Sequence, residues 1–485
     1  MMFNTPEFAC LLLLSMILFY IFPKWRLLLL TIANVLFYAI VGIGYLFLFG
    51  AVSSIAFLCA KRLQGSKKSL FLWLGIIVSV GNLVFFKYMD FLFRAIERFF
   101  SISLVTHDAK WLHLVLPLGI SFYTFELIAY LVDVYKQKIK PETSILRFWM
   151  FIMFFAHMIA GPIMRGKEFL PQIQGLSSIR FQMSNMRMGV FLLSLGLIKK
   201  VFISDNLAPY CDDFFAHPEW LDGAEGWTAS ILYAFQIYFD FSGYSDMAVG
   251  IGCLFGLKLA ANFSTPYLST NPTEFWTRWH ITLSSWIKDY VYITLGGSRS
   301  GKFRQYANLF IAMTISGFWH GNQWTFVAWG MYQGGLLVGH KLWMFLFGKA
   351  GLQGLYRHWW YKLVSIVSFF GLTCIGWVLF RAESLHAALS LIKRMLKFPE
   401  AFNFPQWVQP FWLIIAGLIL LHILEYLLIK NINRVSTEWH RLLPAPLRAQ
   451  STPYSWLFLF CYIKASKIRL STFSFRSAHV KPFPK

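Results

Sequence analysis

Charge is scarce in this chain of 485 residues: Asp, Glu, Lys and Arg together make up 14%, against about 25% in a soluble domain. Acidic residues are the scarcer sign, 22 against 44 basic, for a net charge of +22. So little polar surface excludes a water-soluble globule, and so few polar residues exclude a disordered chain. The six cysteines (Cys10, Cys59, Cys211, Cys253, Cys374 and Cys461) stand singly, with no CxxC pair and no Cys/His spacing. Neither a disulfide framework nor a structural metal is expected from them. The phosphate loop GxxxxGK[ST], the zinc motif HExxH, the GxSxG elbow and a GxGxxG after a strand are all missing. No Ser or Cys nucleophile with a nearby base can be picked out. Residues 7–22 have no basic leader and no small-residue cleavage site after them, so the first apolar run is expected to stay in the mature protein.

What is present is apolar. Hydrophobic residues reach 57%, with 51 Phe, 20 Trp and 21 Tyr, and this composition belongs to a polytopic membrane protein. Apolar stretches fall near 7–22, 27–49, 45–60, 69–86, 112–134, 147–164, 186–203, 227–257, 305–320, 322–347, 361–380 and 409–430. At about 20 residues per span these allow roughly 10–12 crossings, some of them half-length or tilted. The expected fold is all-α, with residues 1–430 as one membrane-embedded domain and 431–485 as a basic tail. Lys24 and Arg26, the loop Lys61–Lys68, and the cluster Lys136, Lys138, Lys140 and Arg147 recur every two spans. By the positive-inside rule these loops and the tail are cytoplasmic and the N-terminus is outside. The 147–164 run is short enough to be re-entrant. Basic residues spread over short loops set topology and attract anionic membrane lipid, and they argue against nucleic acid.

Two regions are not plain spans. In 227–262 an apolar helix is interrupted by Gln236, Asp240, Tyr244, Asp246 and Asn262. The first three are four residues apart and share a face. Ionisable groups at membrane depth face a cavity or a partner, so this face either lines a cavity or clamps helices together. Residues 274–290 carry Trp276, Trp279, Leu283, Trp286 and Tyr290 at steps of three and four, with Arg278, Ser285, Lys288 and Asp289 on other faces. This reads as one amphipathic helix, lying at the interface or plugging the bundle, with His280 beside its aromatic stripe. A third feature is His320, which ends an apolar helix next to Trp319 and is followed by Gly321-Asn322. An imidazole at such a break can accept a proton in a partly dry cavity, although membrane histidines also serve as helix–helix hydrogen bonds. His157, in a turn before Gly161-Pro162, is expected to make a structural contact. From the residues alone, a transporter and a membrane-embedded transferase are both open.

Longer motifs narrow the choice. Phe275-Trp276-Thr277-Arg278-Trp279-His280-Ile281-Thr282-Leu283-Ser284, then Asp289-Tyr290-Val291-Tyr292-Ile293-Thr294-Leu295-Gly296-Gly297, then Ser316-Gly317-Phe318-Trp319-His320-Gly321 resemble the membrane-bound O-acyltransferase family. The branch most similar is that of bacterial alginate O-acetyltransferase membrane subunits. Leu116–Phe125, Ala156–Ile163, Phe241–Ala248 and Asn262–Tyr267 add to the resemblance, which covers residues 115–345 in order. It implies a multi-helix ring around a thin central region, where a cytoplasmic acyl donor meets an acceptor from the other side through a tunnel. It implies His320 as the catalytic histidine and His280 as the second, branch-typical one. Trp279, Arg278, Asp289, Asn262 and Trp319 then lie in the matching motifs, with Asp240, Tyr244 and Asp246 supporting the cavity. It implies no bound cofactor, acetyl-CoA or another acyl thioester as donor substrate, a polysaccharide acceptor and a separate extracytoplasmic acetyltransferase as partner in a bacterial inner membrane. D-alanyl transfer to teichoic acid, or a flippase of an acylated carrier, are the alternatives. Thr277 stands where the branch usually has a basic residue.

Overall fold

The structure is a computed structural model and describes residues 3–40, 42–102, 116–299, 301–397 and 405–431. The basic tail expected beyond Asn431, and the start of the apolar run at 112, lie outside the described residues. Every regular element described is helical, the solution a bilayer enforces by leaving no water for free backbone groups.

Helix α1 (Pro6–Ile21) opens with proline in its first turn, and the Thr5 hydroxyl accepts from the Phe8 N–H,. Pro23 ends it, and α2 (Arg26–Ala39) leaves at 117°,. Arg26 is buried at this bend. Its guanidinium donates to the carbonyls of Phe19, Leu176, Ser177 and Ile179 at 2.6–3.2 Å, so one of the two charges marking this loop as cytoplasmic is also a structural rivet. Helices α3 (Ile43–Arg62) and α4 (Lys68–Lys87) form a hairpin around the basic loop, and α5 (Met89–Phe100) follows at its far end. After α6 (Ile120–Tyr135), the expected re-entrant run is two short buried pieces, α7 (Ile145–Met153) and α8 (Phe155–Met158), broken at Phe154. Nine residues rise about 14 Å, too short to cross.

Helices α9 (Gly166–Gln174), α10 (Met183–Leu197) and α11 (Asp205–Ala216) lead to α12 (Gly223–Leu254), with a π-helical stretch Ile198–Ser204 between α10 and α11. At 32 residues α12 is the longest, and it begins in a reciprocal capping box between Asp222 and Glu225,. It is mostly buried and packs on α10 and α11 on one side and on α17, α18 and α19 on the other. Along α10 and α12, Gly189 meets Gly250 and Gly196 meets Gly243 so closely that a Cβ at any of them would strike the opposite backbone,. The remaining elements are α13 (Pro272–Phe275), α14 (Ile281–Trp286), α15 (Lys302–His320), α16 (Trp324–Lys349), α17 (Trp359–Arg381), α18 (Leu385–Met395) and α19 (Gln409–Lys430).

Among the described residues four helices are long and apolar enough to cross a membrane alone, Ile43–Arg62, Lys68–Lys87, Trp359–Arg381 and Gln406–Lys430, and the bent pair α1–α2 makes up to five. Helices such as α12 need not be apolar all round, because their polar groups face protein and not lipid. The core falls into a cluster from the N-terminal half, a second built on α11, α12 and α16–α19, and a small third one containing Phe125, Ile163, Leu283, Trp286, Leu309 and Trp319.

Candidate functional site

The aromatic segment 274–290 is not the single helix its periodicity predicts. It breaks at His280, whose backbone is left-handed (φ 41°) and caps α14. The stripe therefore divides. Trp276 and Trp279 face the second core cluster, where Trp279 packs 4.9 Å from Trp377 and 5.1 Å from Phe263. Leu283 and Trp286 face the third, where Trp286 stacks on Phe125 at 3.8 Å and donates its indole N–H to the Phe125 carbonyl. All four are buried, so the segment plugs the bundle and does not lie on its surface.

Asn262 holds the break. Its carbonyl accepts from the Ile281 N–H at 2.9 Å, and its side-chain oxygen accepts from the Thr282 hydroxyl at 2.6 Å and from the Thr282 N–H. Thr282 in turn accepts from the Ile163 N–H, and Ser264 N–H donates to the Arg278 carbonyl. A left-handed conformation costs a non-glycine residue about 1–2 kcal/mol, and these bonds on both flanks offset it. The His280 ring is 1% exposed, and neither of its nitrogens has a hydrogen-bond partner among the described residues. It lies edge-on to Phe241 at 4.6 Å and 6.3 Å from Trp319.

His320 is the last residue of α15, as the sequence predicts, and Gly321 is fully extended beyond it. A tight crossing sets its place: a Cβ at Gly317 would collide with the Phe326 carbonyl and with Gly330 of α16. Its ring is walled by Trp319 at 4.9 Å, Trp329 at 5.2 Å and Phe380 at 5.2 Å. The indole N–H groups of Trp319 and Trp329 have no acceptor among the described residues. Trp319 thus touches both histidines and brings them to one place. Lys87 and Tyr88, which the sequence reading passes over, reach the same turn. Lys87 donates to the Trp319 carbonyl, and the Tyr88 hydroxyl donates to that of Phe318 at 2.8 Å.

Two cavities flank this turn. A narrow apolar cleft runs back along α15 from Ser316, one turn before His320, between α14 and α16. Trp276, Ser284, Leu309, Ser316 and Lys341 are among its lining residues, and no carboxylate is. A larger, open basin begins at Asn322 and Gln323, just after His320, and is lined by Asp90, Arg94, Glu97, Arg98 and Glu383. The basin sits at the end of α4 away from the Lys61–Lys68 loop, because the last residue of α4 is Lys87.

The other expected residues lie in pairs of their own. Asp240 binds Lys200 at 2.5 Å, and Lys200 also lies 5.5 Å from the Tyr244 ring. Asp246 binds Lys199 at 2.8 Å, and Lys199 also meets Glu425 at 2.8 Å. These pairs tie α12 to the π-helical stretch and to α19, so the face read as cavity or clamp carries ion pairs between helices. Arg278 pairs with Glu274, four residues earlier, and the half-exposed Asp289 meets Arg165 at 3.4 Å. His157 lies 3.2 Å from the buried Glu126, which also accepts from the Met164 N–H, a structural contact as expected. Among the described residues no three His, Cys, Asp or Glu side chains converge as metal ligands do.

The profile of the membrane-bound O-acyltransferase family matches residues 69–380. The peptidoglycan O-acetyltransferase of Helicobacter pylori is 38% identical over 405 residues, 78% of this chain and 74% of its own. The probable alginate O-acetylase AlgI of Pseudomonas aeruginosa is 36% identical over 380 residues, 77% of this chain and 70% of its own. The teichoic acid D-alanyltransferase of Streptococcus thermophilus is 28% identical over 281 residues, covering 54% of this chain and 68% of its own.

Proposed function

The chain belongs to the membrane-bound O-acyltransferase family and is an acyltransferase, and from that premise we propose that His320 mediates acyl transfer between two compartments. The observation that carries this reading is the place of His320 at the end of α15, between Ser316, which lines an apolar cleft, and Asn322, which lines a polar basin. With the Lys61–Lys68 loop cytoplasmic, the cleft is the donor side and the basin the outer side.

The donor is a thioester, already activated, so the protein must deprotonate a hydroxyl while keeping water from the acyl group. The neutral imidazole of His320 takes the proton of the acceptor hydroxyl as its oxygen attacks the thioester carbonyl carbon. The C–O bond forms, the C–S bond breaks, and the leaving thiolate takes the proton back from the imidazolium. The unpartnered indole N–H groups of Trp319 and Trp329 are donors for the carbonyl oxygen, whose negative charge rises in the transition state. His280, buried and unpartnered, forms the second polar wall.

Acetyl is favoured over D-alanyl, because the cleft offers no carboxylate to an ammonium group. Acetyl-CoA is therefore the donor, with no bound cofactor. The acceptor is a polysaccharide outside a bacterial inner membrane, of the kind named for the relatives, alginate or peptidoglycan. A separate extracytoplasmic acetyltransferase over the basin supplies the acceptor hydroxyl and passes the acetyl group on to the polymer. The test is thioester loss from radiolabelled acetyl-CoA by the purified protein in nanodiscs, supplied with a matched extracytoplasmic acetyltransferase and peptidoglycan oligosaccharides as acceptor. Wild type is expected to consume it, and His320→Ala is expected to be slower by about 10²–10⁴. Equal consumption by a folded His320→Ala protein would refute the assignment.

A further inference from the structure

We propose that Lys87 is a positioning residue for His320, holding the last turn of α15 so that the imidazole stays at the junction of cleft and basin; the inference rests on His320 being the proton acceptor. Lys87 is the final residue of a span whose other end carries the basic loop. A lysine at that depth ordinarily turns its ammonium outward to water and headgroups. Here it turns inward. Its ammonium donates to the Trp319 carbonyl and, at 3.2 Å, to the Ser121 hydroxyl, and lies 5.5 Å from the centre of the Trp319 ring.

The need for it follows from how α15 ends. The last four carbonyls of a helix have no intrahelical donor, and the usual remedy is a left-handed residue that folds the next N–H groups back onto them. Gly321 is extended instead (φ −163°, ψ 168°), so the chain leaves the helix straight after His320 and supplies no such turn. Lys87 and Tyr88 stand in for it. The Tyr88 hydroxyl bonds the Phe318 carbonyl at 2.8 Å and that of Trp319 at 3.2 Å, and its ring stacks on Phe318 at 4.4 Å. A cation at this end also complements the partial negative charge of the helix terminus. The His320 ring is walled by Trp319, Trp329 and Phe380, and no carboxylate among the described residues forms an ion pair with it. Its orientation therefore depends on the backbone of its own turn, and that turn is pinned from α4.

The test uses the full chain in nanodiscs, with radiolabelled acetyl-CoA as the probe, a matched extracytoplasmic acetyltransferase and peptidoglycan oligosaccharides as acceptor, and kcat and KM measured separately. Lys87→Met is expected to lower kcat about 10–100-fold, the scale of one lost charged hydrogen bond, with KM for acetyl-CoA within about twofold because the cleft is untouched. Lys87→Arg, which keeps a charged donor, is expected to restore most of kcat. If Lys87→Met does not yield a monodisperse protein, Tyr88→Phe takes its place, with kcat lowered about 3–10-fold and KM unchanged. Wild-type kcat in folded Lys87→Met, or a loss confined to KM, would overturn the inference. His320→Ala measured alongside separates the two proposals: an active His320→Ala protein refutes the base, whereas an inactive one beside a fully active Lys87→Met refutes only the positioning role.

Discussion

Two histidines share one indole, and they are held in opposite ways. His280 sits mid-segment in a left-handed turn, fully buried, with hydrogen bonds on its flanks supplied by Asn262 to Ile281 and Thr282 and by Ser264 to Arg278, and none to its own ring among the described residues. His320 sits at a helix end with an extended residue behind it, between two cavities, pinned through its turn by Lys87 and Tyr88. The first arrangement stores backbone strain to place a ring inside a wall. The second leaves a ring at an opening. Strain of this kind persists only where the surroundings over-determine it, and here the surroundings are Asn262, Ser264 and Thr282. The difference supports the proposed roles: a group that must exchange protons with two bound molecules belongs at the opening, and a group that shapes the passage belongs in the wall.

Removing the group at the opening should have the largest effect. His320→Ala is expected to lower acyl transfer by about 10²–10⁴ while leaving a folded protein, its melting temperature lowered by a few degrees for the lost ring contacts. Next comes the support of the wall. Asn262→Ala deprives the Thr282 hydroxyl and amide of their acceptor and should lower the melting temperature by several degrees, about 1–3 kcal/mol for each buried group left unpaired. Smaller again is the wall itself. His280→Gly and His280→Ala should both reduce transfer about 10-fold, on the scale of one hydrogen bond. The glycine variant should be the more stable of the two by about 1 kcal/mol, because glycine adopts the left-handed turn without strain. Equal stability would mean that the turn is not strained. Asp289→Asn should change transfer and stability least, within about 0.5 kcal/mol, since its contact with Arg165 is half-exposed,.

Much of this was legible beforehand. The apolar runs, the helix ending at His320 and the family motifs around it are local features, and local features survive without knowledge of the fold. The break at His280 was not, because neither Gly nor Pro marks it and the steps of Trp276, Trp279, Leu283 and Trp286 fit a continuous helix. The turn is imposed by Asn262, 18 positions away, through tertiary bonds that no window of sequence contains. The partners of Asp240 and Asp246 were hidden for the same reason, although Lys199-Lys200 at the end of an apolar run was a signal. So was Lys87. A lysine at the outer end of a span runs against the charge bias of the loops, and such an exception asks for a buried acceptor.

The most direct test of the two-compartment account is a sidedness measurement in sealed vesicles. The protein is reconstituted with its orientation fixed by labelling Lys67→Cys, radiolabelled acetyl-CoA is added outside, and peptidoglycan oligosaccharides with a matched extracytoplasmic acetyltransferase are enclosed. Molecules with the Lys67 face outward should release CoA thiol and place label on the enclosed sugars, and His320→Ala should do neither. Label remaining on the donor side, or thiol release at an unchanged rate by His320→Ala, would contradict transfer through the junction at His320.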